Sequence, residues 1–279
     1  MLDQITEEPL ENVELSVYAA RKILNPDTGA VLYEKDELVE QAVTDAGGEA
    51  LIRELYGGDY YIRETRPRMQ QYDSYASAYE LPKEVYPVHL RTASEESAGE
   101  IEEEIIQTIY NLPLTGTLKV EKTDEENGNP VAAAFEITAA EDILHPDGKS
   151  GIVHEKGSHA GSIRTGASGS GEFAGLFPGK YCLTEKEAPG YLPDQEIHEF
   201  TVTASEESGL NPALKLTNLS IKGKIIYSAA DSRTGYPLEG VQAGLYAAED
   251  IRHPDASGTV WHQSGRLVAE ITTDRKSVV

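Results

Sequence analysis

The chain has 279 residues, which at ~150 residues per domain suggests roughly two domains, and a third would have to be partial. It carries 24 Lys and Arg residues against 48 Asp and Glu residues, and the net charge of −24 disfavours binding to nucleic acid and to anionic membrane surfaces. The single cysteine, Cys182, can form neither an internal disulfide nor a four-ligand zinc site. No stretch reaches the ~18 apolar residues of a membrane span and residues 1–10 lack a signal-peptide pattern, so we expect no membrane insertion.

The composition favours an all-β fold. Tyr occurs 15 times against 4 Phe and 1 Trp, and Val, Thr and Tyr are spread over short segments that suit strands. These segments alternate apolar and polar residues between Gly, Pro and Asp turns, which is the pattern of a β-sandwich. One helical turn is predicted at residues 139–143, with a counterpart at 247–251. The acidic run at 95–104 is predicted to be a solvated loop or extension, with a partner-binding tail as the alternative.

Internal repeats organise the chain. The motif AEDILHPD at 140–147 returns as AEDIRHPD at 248–255 and, more loosely, as ARKILNPD at 20–27. Asn111 and Asn218 stand five residues before Gly116 and Gly223, and 218 − 111 gives a repeat length of 107 residues. We therefore predict three tandem β-sandwich domains, called here unit one (1–115), unit two (116–222) and a truncated unit three (223–279).

Three strands of unit two carry a polar residue where their apolar face should continue. The in-line sets are Leu118, Val120 and Lys122; Tyr181, Leu183 and Glu185; and Leu214, Leu216 and Asn218. Unit one repeats two of them, as Tyr60, Ile62 and Glu64 and as Ile105, Ile109 and Asn111. One interpretation is that these are ordinary strand ends, at which polar groups reach solvent at the rim of the sandwich. The other is that Lys, Glu and Asn meet inside it.

Burial would make the three groups of unit two reactive towards one another. A low-dielectric interior disfavours the charged forms of an amine and of a carboxyl group, so Lys122 would be a neutral nucleophile and Glu185 a protonated acid. The Lys122 nitrogen would attack the side-chain carbonyl carbon of Asn218 while Glu185 polarises that amide and transfers protons to the leaving ammonia. The predicted product is a Lys122–Asn218 isopeptide bond, with Glu185 as the catalytic residue.

The residues around these positions resemble the Cna B-type, or SpaA-type, prealbumin-like domains of Gram-positive surface adhesins and pilins. The resemblance lies in Lys122-Thr-Asp124, in Asn127-Gly-Asn-Pro-Val131 and in the segment GKYCLTEKEAPGY at 179–191, and it covers all of unit two and most of the chain. It implies Ig-like or prealbumin-like β-sandwiches whose first and last strands are crosslinked, with Glu185 as the catalytic acid. It also implies an extracellular location at the cell surface or cell wall.

Unit one departs from this pattern. Its register places Met1 where the lysine should stand, and Arg66-Pro67 replaces the Ala-Pro-Gly-Tyr tail. We therefore expect Glu64 to correspond to the catalytic acid and Asn111 to be a crosslinking residue without a partner.

Unit three is expected to form no crosslink either. Its register places Ala229 at the lysine position, after Ile225 and Tyr227 on the inner face, and no glutamate or asparagine motif follows. We interpret both ends of the chain as breaks in a longer gene. Residues 274–279 match the translation of a sequencing adapter, and we hypothesise that they are non-native.

Other motifs are weaker candidates. The segment LPLTG at 112–116 resembles a sortase signal, but a strand follows it instead of an apolar segment and a basic tail. His145, Asp147 and His154 invite a metal interpretation, yet the His-Pro-Asp sequence suits a turn and no compact ligand spacing occurs. We therefore expect no metal and no other cofactor. Cys182 is predicted to face outward and has no paired histidine motif, which disfavours a protease nucleophile.

Two functions fit these observations. The first is a structural stalk that performs no catalysis beyond crosslinking itself and has neighbouring repeats of the same protein as its partners. The second is an adhesin module that recognises a host or matrix component. For that function the candidate surface is the segment 69–88 of unit one, with Tyr72, Tyr75, Tyr79 and Tyr86.

Overall fold

The computed structural model describes residues 1–66, 78–91, 105–203, 211–255 and 257–274. The regular structure within these ranges is entirely β-strand, which confirms the predicted fold class. Unit one contains β1 (Leu2–Asp3), β2 (Glu14–Ala19), β3 (Ile23–Leu24), β4 (Val31–Tyr33), β5 (Leu38–Val43), β6 (Gly58–Arg66), β7 (Tyr86–Leu90) and β8 (Tyr110–Asn111). Unit two contains β9 (Gly116–Asp124), β10 (Ala133–Ala139), β11 (Ile143–Leu144), β12 (Ile152–His154), β13 (His159–Thr165), β14 (Ser170–Leu176), β15 (Gly179–Glu187), β16 (Ile197–Val202) and β17 (Ala213–Asn218). Unit three contains β18 (Gln242–Tyr246), β19 (Ile251–Arg252), β20 (Val260–His262) and β21 (Leu267–Thr272).

Unit two consists of two packed sheets. One sheet has the strand order β13-β10-β15-β16, the other has the order β14-β9-β17, and β11 pairs with β12 beside them. The pairing of β9 with β17 is parallel, so the first and last strands of the unit are neighbours. Strand β9 shows why the sequence forms this sandwich, because every second residue from Leu118 onward is buried while Lys119 and Glu121 between them are exposed.

The inner faces of these two sheets form one apolar core. The three-stranded sheet contributes Leu118, Val120, Leu176 and Leu216, and the four-stranded sheet contributes Phe135, Ile137, Ile163, Tyr181, Leu183, Phe200 and Val202. Each large apolar side chain that is buried in this way stabilises the fold by about 1.5–3 kcal/mol. The core therefore holds the two sheets in a fixed relation, which positions the polar groups at its edge.

Unit one has the same arrangement of its four-stranded sheet, in the order β5-β2-β6-β7. The counterpart of the β9–β17 pair is the short parallel pair of β1 and β8, in which Asp3 lies opposite Asn111. Its core is divided into two smaller clusters, one around Leu10, Val13, Leu15 and Tyr79 and the other around Val17, Ala19, Ile23 and Tyr60. No helix in the described ranges has the length and apolarity that crossing a membrane requires.

The predicted helical turns at 139–143 and 247–251 are wrong. Residues 140–142 form a bend between β10 and β11, and the second copy forms a bend before β19. Contacts with distant strands explain the difference, since the Ala140 amide donates to Lys180 O at 2.9 Å and Asp142 Oδ1 accepts from the Lys156 amide at 2.7 Å. A helical turn would give up these bonds and would expose Ile143, which is 1% exposed.

The predicted inner face of unit three is also wrong. Within the described residues, 223–229 form no strand, and Ile225 and Tyr227 are 64% and 38% exposed. The equivalent strand of unit two, β9, is hydrogen-bonded on both sides by β14 and β17. No described strand pairs with 223–229, so this segment lacks the neighbours that hold β9 in place.

Candidate crosslinking site

Lys122 and Asn218 project from neighbouring strands into the core of unit two. In the parallel pair of β9 and β17, Leu216 lies opposite Lys122 and Asn218 lies opposite Asp124. Because residues two apart on a strand share a face, Asn218 lies on the same face as Leu216. Lys122 is 0% exposed and Asn218 is 4% exposed. The last residue of β17 and the lysine of β9 are therefore both buried on adjacent strands.

Glu185 reaches the same place from β15, in the facing sheet. Its Oε2 atom lies 2.8 Å from Lys122 Nζ, and its Oε1 atom accepts a hydrogen bond from Asn218 Nδ2 at 2.6 Å. Lys122 Nζ also donates to the carbonyl oxygen of Thr217 at 3.2 Å. One carboxyl group thus contacts both groups that the sequence predicts to react, and it does so across the two sheets.

Solvent is excluded from this contact. The side chains of Lys122 and Glu185 are 0% and 1% exposed, and Lys122 Nζ lies 5.7 Å from the ring centroid of Phe135, which is opposite Glu185 in the β10–β15 pairing. Electrostatic interactions are strong in such a low-dielectric setting, and separated charges are costly there. Moving one proton from the amine to the carboxyl group gives a neutral pair without changing the net charge.

Next to the site lies an Asp–Tyr pair that the sequence analysis did not predict. Asp124, two residues after Lys122, is 1% exposed and accepts a hydrogen bond from the Tyr191 hydroxyl at 2.9 Å. Burial raises the pKa of Tyr191, and the bond to Asp124 raises it further. The pair ties the end of β9 to the segment after β15, which fixes the strands that carry Lys122 and Glu185. The sequence feature that could have identified this pair is the spacing of Asp124 from Lys122 and of Tyr191 from Glu185.

Unit one contains the same site without its lysine. Met1 occupies the backbone position of Lys122, because Met1 O accepts from Leu10 N at 3.1 Å as Lys122 O accepts from Val131 N at 2.9 Å. Likewise, Met1 N donates to Gly48 O as Lys122 N donates to Gly169 O, each at 2.7 Å. Tyr79 donates to Asp3 Oδ2 at 2.8 Å, which matches the Tyr191–Asp124 bond.

The glutamate and asparagine of unit one are nevertheless paired. Asn111 Nδ2 donates to Glu64 Oε1 at 2.8 Å, and the two residues are 0% and 1% exposed. Burial raises the pKa of Glu64 to about 7, against the opposing effects of the Asn111 hydrogen bond and the N-terminal amine. Within the described ranges, Glu64 Oε2 and Asn111 Oδ1 are buried without a hydrogen-bond partner. In unit two the equivalent atom, Glu185 Oε2, also has no hydrogen bond of good geometry to a described residue, but it forms an ion pair with Lys122 Nζ at 2.8 Å.

The remaining candidates divide into residues that the structure describes and residues that it does not. Tyr72, Tyr75 and the acidic run 95–104 lie outside the described residues, while Tyr79 belongs to the core and Tyr86 lies half-buried on β7. Leu114, in the sortase-like segment, is 6% exposed. Burial raises the pKa of the Cys182 thiol, and nearby Glu199 adds to this effect, which disfavours a reactive thiolate. His145 and Asp147 cluster with Asp3 of unit one, and His154 is not part of that cluster.

Comparisons with known proteins identify the family of this fold. A family model described as the SpaA prealbumin-like fold domain matches residues 2–102 and 116–217. A search of curated proteins finds no match. Among solved structures, the Bacillus anthracis TIE protein is similar with a TM-score of 0.57 and 17% identity, over 98% of this chain and 40% of that one. At this level of identity the similarity concerns the fold alone, and the chain spans less than half of that relative.

Two pilins are also similar to parts of the chain. GBS52, the minor pilin of Streptococcus agalactiae, has a TM-score of 0.31 and 18% identity, over 79% of this chain and 88% of the pilin chain. The shaft pilin SpaA of Lactobacillus rhamnosus GG has a TM-score of 0.29 and 15% identity, over 81% of this chain and 94% of that chain. Scores of this size do not define a shared overall arrangement.

Proposed function

The chain belongs to the family of SpaA prealbumin-like fold domains, and we propose that it is a structural stalk segment of a Gram-positive cell-surface adhesin or pilin-like protein. In this proposal the chain works outside the cell, its partners are neighbouring repeats, and unit two locks itself with an autocatalytic Lys122–Asn218 isopeptide bond. The observation that carries the proposal is the buried carboxyl group of Glu185, which contacts Lys122 Nζ at 2.8 Å and Asn218 Nδ2 at 2.6 Å.

The proposed reaction begins with a proton transfer inside the core. Glu185 takes a proton from Lys122, which leaves a neutral amine with a free electron pair. The amine attacks Cγ of Asn218 while the protonated carboxyl group hydrogen-bonds to the amide and stabilises the charge that develops on it. Glu185 then carries a proton from the Lys122 nitrogen to the Asn218 nitrogen, the Cγ–Nδ2 bond breaks, and ammonia leaves. One C–N bond is formed and one is broken, so no oxidant or cofactor is needed.

The position of the bond explains why it suits a stalk. Strands β9 and β17 are parallel neighbours, and the bond would join residue 122 on the first to residue 218 on the second. Tension that enters through β9 would cross to β17 and leave towards unit three. The 95 residues between these positions, 123–217, would then bear no load, since 218 − 122 − 1 is 95. The bond also resists reduction, which suits a protein with one cysteine outside the cell.

Single-molecule pulling on the full chain tests this function. We expect unit two to contribute no long extension in the parent protein, whereas Lys122→Ala and Asn218→Ala should each release the contour length of the enclosed segment. Lys119→Ala is the matched control, because Lys119 lies on the same strand with an exposed side chain. Full extension of unit two in the parent protein would refute the stalk mechanism.

A further inference from the structure

The second copy of the repeated His-Pro-Asp motif docks onto unit one. Asp147 Oδ2 accepts a hydrogen bond from Thr6 Oγ1 at 2.9 Å, and Lys149 Nζ donates to the carbonyl oxygens of Pro9 and Ala46, each at 2.9 Å. His145 lies beside them, with Nδ1 3.1 Å from Asp147 Oδ2. Asp147 is 0% exposed and His145 is 4% exposed, so the tip of this turn is buried between the two units.

The third copy of the motif makes the equivalent contact with unit two. Asp255 Oδ2 accepts hydrogen bonds from Asn129 Nδ2 at 2.9 Å and from Asn127 Nδ2 at 3.4 Å. Pro254 packs so closely on Gly190 that a Cβ atom there would lie 2.4 Å from Pro254 Cβ. Asp255 is 6% exposed. The same motif is therefore used twice, each time against the preceding unit.

The surface that receives the motif is the opening turn of each unit. In this turn an aspartate oxygen accepts two backbone amides, namely those of Ile5 and Thr6 for Asp3, of Glu126 and Asn127 for Asp124, and of Arg233 and Thr234 for Asp231. The residue three after the aspartate donates its side chain to the docked Asp, as Thr6 does at the first junction and Asn127 at the second. Thr234 holds this position in unit three, where it is exposed and bonds within its own turn.

The hydrogen bonds at the first junction stabilise the docked Asp147 side chain as a charged carboxylate. Burial alone would raise the pKa of Asp147, but hydrogen bonds from Ser150, Lys149 and Thr6 outweigh it and lower this pKa to about 2. A carboxylate that accepts several such bonds is stabilised in its charged form. The first copy of the motif differs, because Asn25 replaces the histidine and Asp27 is exposed.

Hydrogen bonds connect the residues of this cluster to unit one and to one another. Asp3, His145 and Asp147 bring three ligand atoms within 4.8 Å of one another. However, Asp147 Oδ2 already accepts the hydroxyls of Thr6 and Ser150, and Asp3 Oδ2 accepts the hydroxyl of Tyr79. At the second junction Asn127 and Asn129 donate to Asp255. The feature that both junctions share is a carboxylate that binds side-chain donors of the preceding unit.

We propose that the His-Pro-Asp turn is a docking element by which a unit that carries it binds the opening turn of the unit before it and so fixes their relative orientation. The partner is the Asp-x-x-Thr or Asp-x-x-Asn turn of another repeat of the same type. Because the two surfaces are different, the contact is head-to-tail and propagates along a row of repeats. This role is independent of the isopeptide bond and concerns the joints between units instead of the strength of one unit.

Measurements of the distance between two spin labels on the full chain test the proposal. Spin labels are placed at Glu40→Cys in unit one and Lys180→Cys in unit two, both exposed, in a Cys182→Ser background. We expect one narrow distance distribution in the parent and a broad or shifted one in Thr6→Val/Lys149→Ala. The matched control is Thr234→Val/Lys156→Ala, which changes the equivalent threonine and an exposed lysine and should leave the distribution narrow.

Amide hydrogen exchange in β2 and β15 confirms that both units of each variant are folded. Asp147→Asn changes the unit-two side of the same junction and should also broaden the distance distribution. A broad distribution in the parent would overturn the proposal. So would an unchanged narrow distribution in both junction variants with protected strands.

Discussion

The Nζ atom of Lys122 lies 2.8 Å from Oε2 of Glu185 in the interior of unit two, where neither side chain is more than 1% exposed. The same carboxyl group binds the Asn218 amide at 2.6 Å. A buried amine and a buried amide that share one carboxyl group have little structural justification, because an apolar trio of similar volume would often be at least as stable. Their arrangement is explained if they react with one another.

Replacing Glu185 with alanine should stop the reaction. Without the carboxyl group, Lys122 loses the proton acceptor that lies 2.8 Å from its Nζ atom, so the full chain should retain the ammonia that the parent is predicted to lose. Intact-mass spectrometry measures this directly. Glu187→Ala is the control, since Glu187 lies two residues further along β15 and is exposed. Loss of ammonia in folded Glu185→Ala would mean that Glu185 is not the catalytic residue.

Unit one should gain a crosslink when it is given a lysine. Met1 lies at the backbone position of Lys122, and Glu64 and Asn111 are already paired at 2.8 Å. We expect Met1→Lys, preceded by a copy of the β9 residues 116–121, to lose one ammonia and to join residue 1 to Asn111. The same extension with Met1 retained is the control. If the lysine variant folds and keeps its full mass, either the register from Asp3 or the role of Glu64 is wrong.

The stability of unit one should fall as the pH rises towards neutrality. Burial raises the pKa of Glu64 from 4.5 to about 7, so between these values the folded state holds a proton that the unfolded state has lost. The free energy of unfolding then decreases with rising pH, by on the order of 3 kcal/mol across this window. Native-state hydrogen exchange of β6 at pH 5 and pH 7 measures the change. Glu64→Gln should remove it and the exposed-site variant Glu40→Gln should not; an equal slope in Glu64→Gln would assign the effect elsewhere.

The crosslink should also raise the thermal stability of unit two. By analogy with a disulfide that closes a loop of about 100 residues, the bond removes unfolded-state entropy worth about 4–5 kcal/mol. This is a large share of the ~5–15 kcal/mol that stabilises a typical domain. Lys122→Ala and Asn218→Ala should therefore lower the melting temperature of unit two markedly, as measured by calorimetry, while Lys119→Ala should not. Melting temperatures of all three variants within a degree of the parent would exclude a stabilising bond.

The strand alternation predicted the burial of Lys122, Glu185 and Asn218 because it depends on local geometry. Lys122, Glu185 and Asn218 each continue an apolar face with period two, and a strand that packs on a core must bury that face. The lysine register of unit one likewise follows from Asp3, two residues after Met1. These inferences need only the spacing of residues within one strand and the assumption that the strands pack in one sandwich.

The features that the sequence did not predict depend on interactions between distant segments. Residues 139–143 have a helical composition, but the amide of Ala140 bonds to Lys180 O, which lies on another strand. The His-Pro-Asp sequence predicts the turn that the structure contains. The contact of its Asp147 with Thr6, however, depends on how unit two packs against unit one. The inner face predicted for Ile225 and Tyr227 requires partner strands that the described part of unit three does not provide. None of these can be derived from the periodicity of a single segment.

The most direct test of the account is peptide mapping of the full chain after complete unfolding and digestion. If the bond forms, the intact mass is one ammonia below the sequence mass and a branched peptide joins Lys122 to Asn218, and both observations are absent from Lys122→Ala. A folded parent protein with the full sequence mass, and with Lys122 and Asn218 recovered in separate linear peptides, would contradict it.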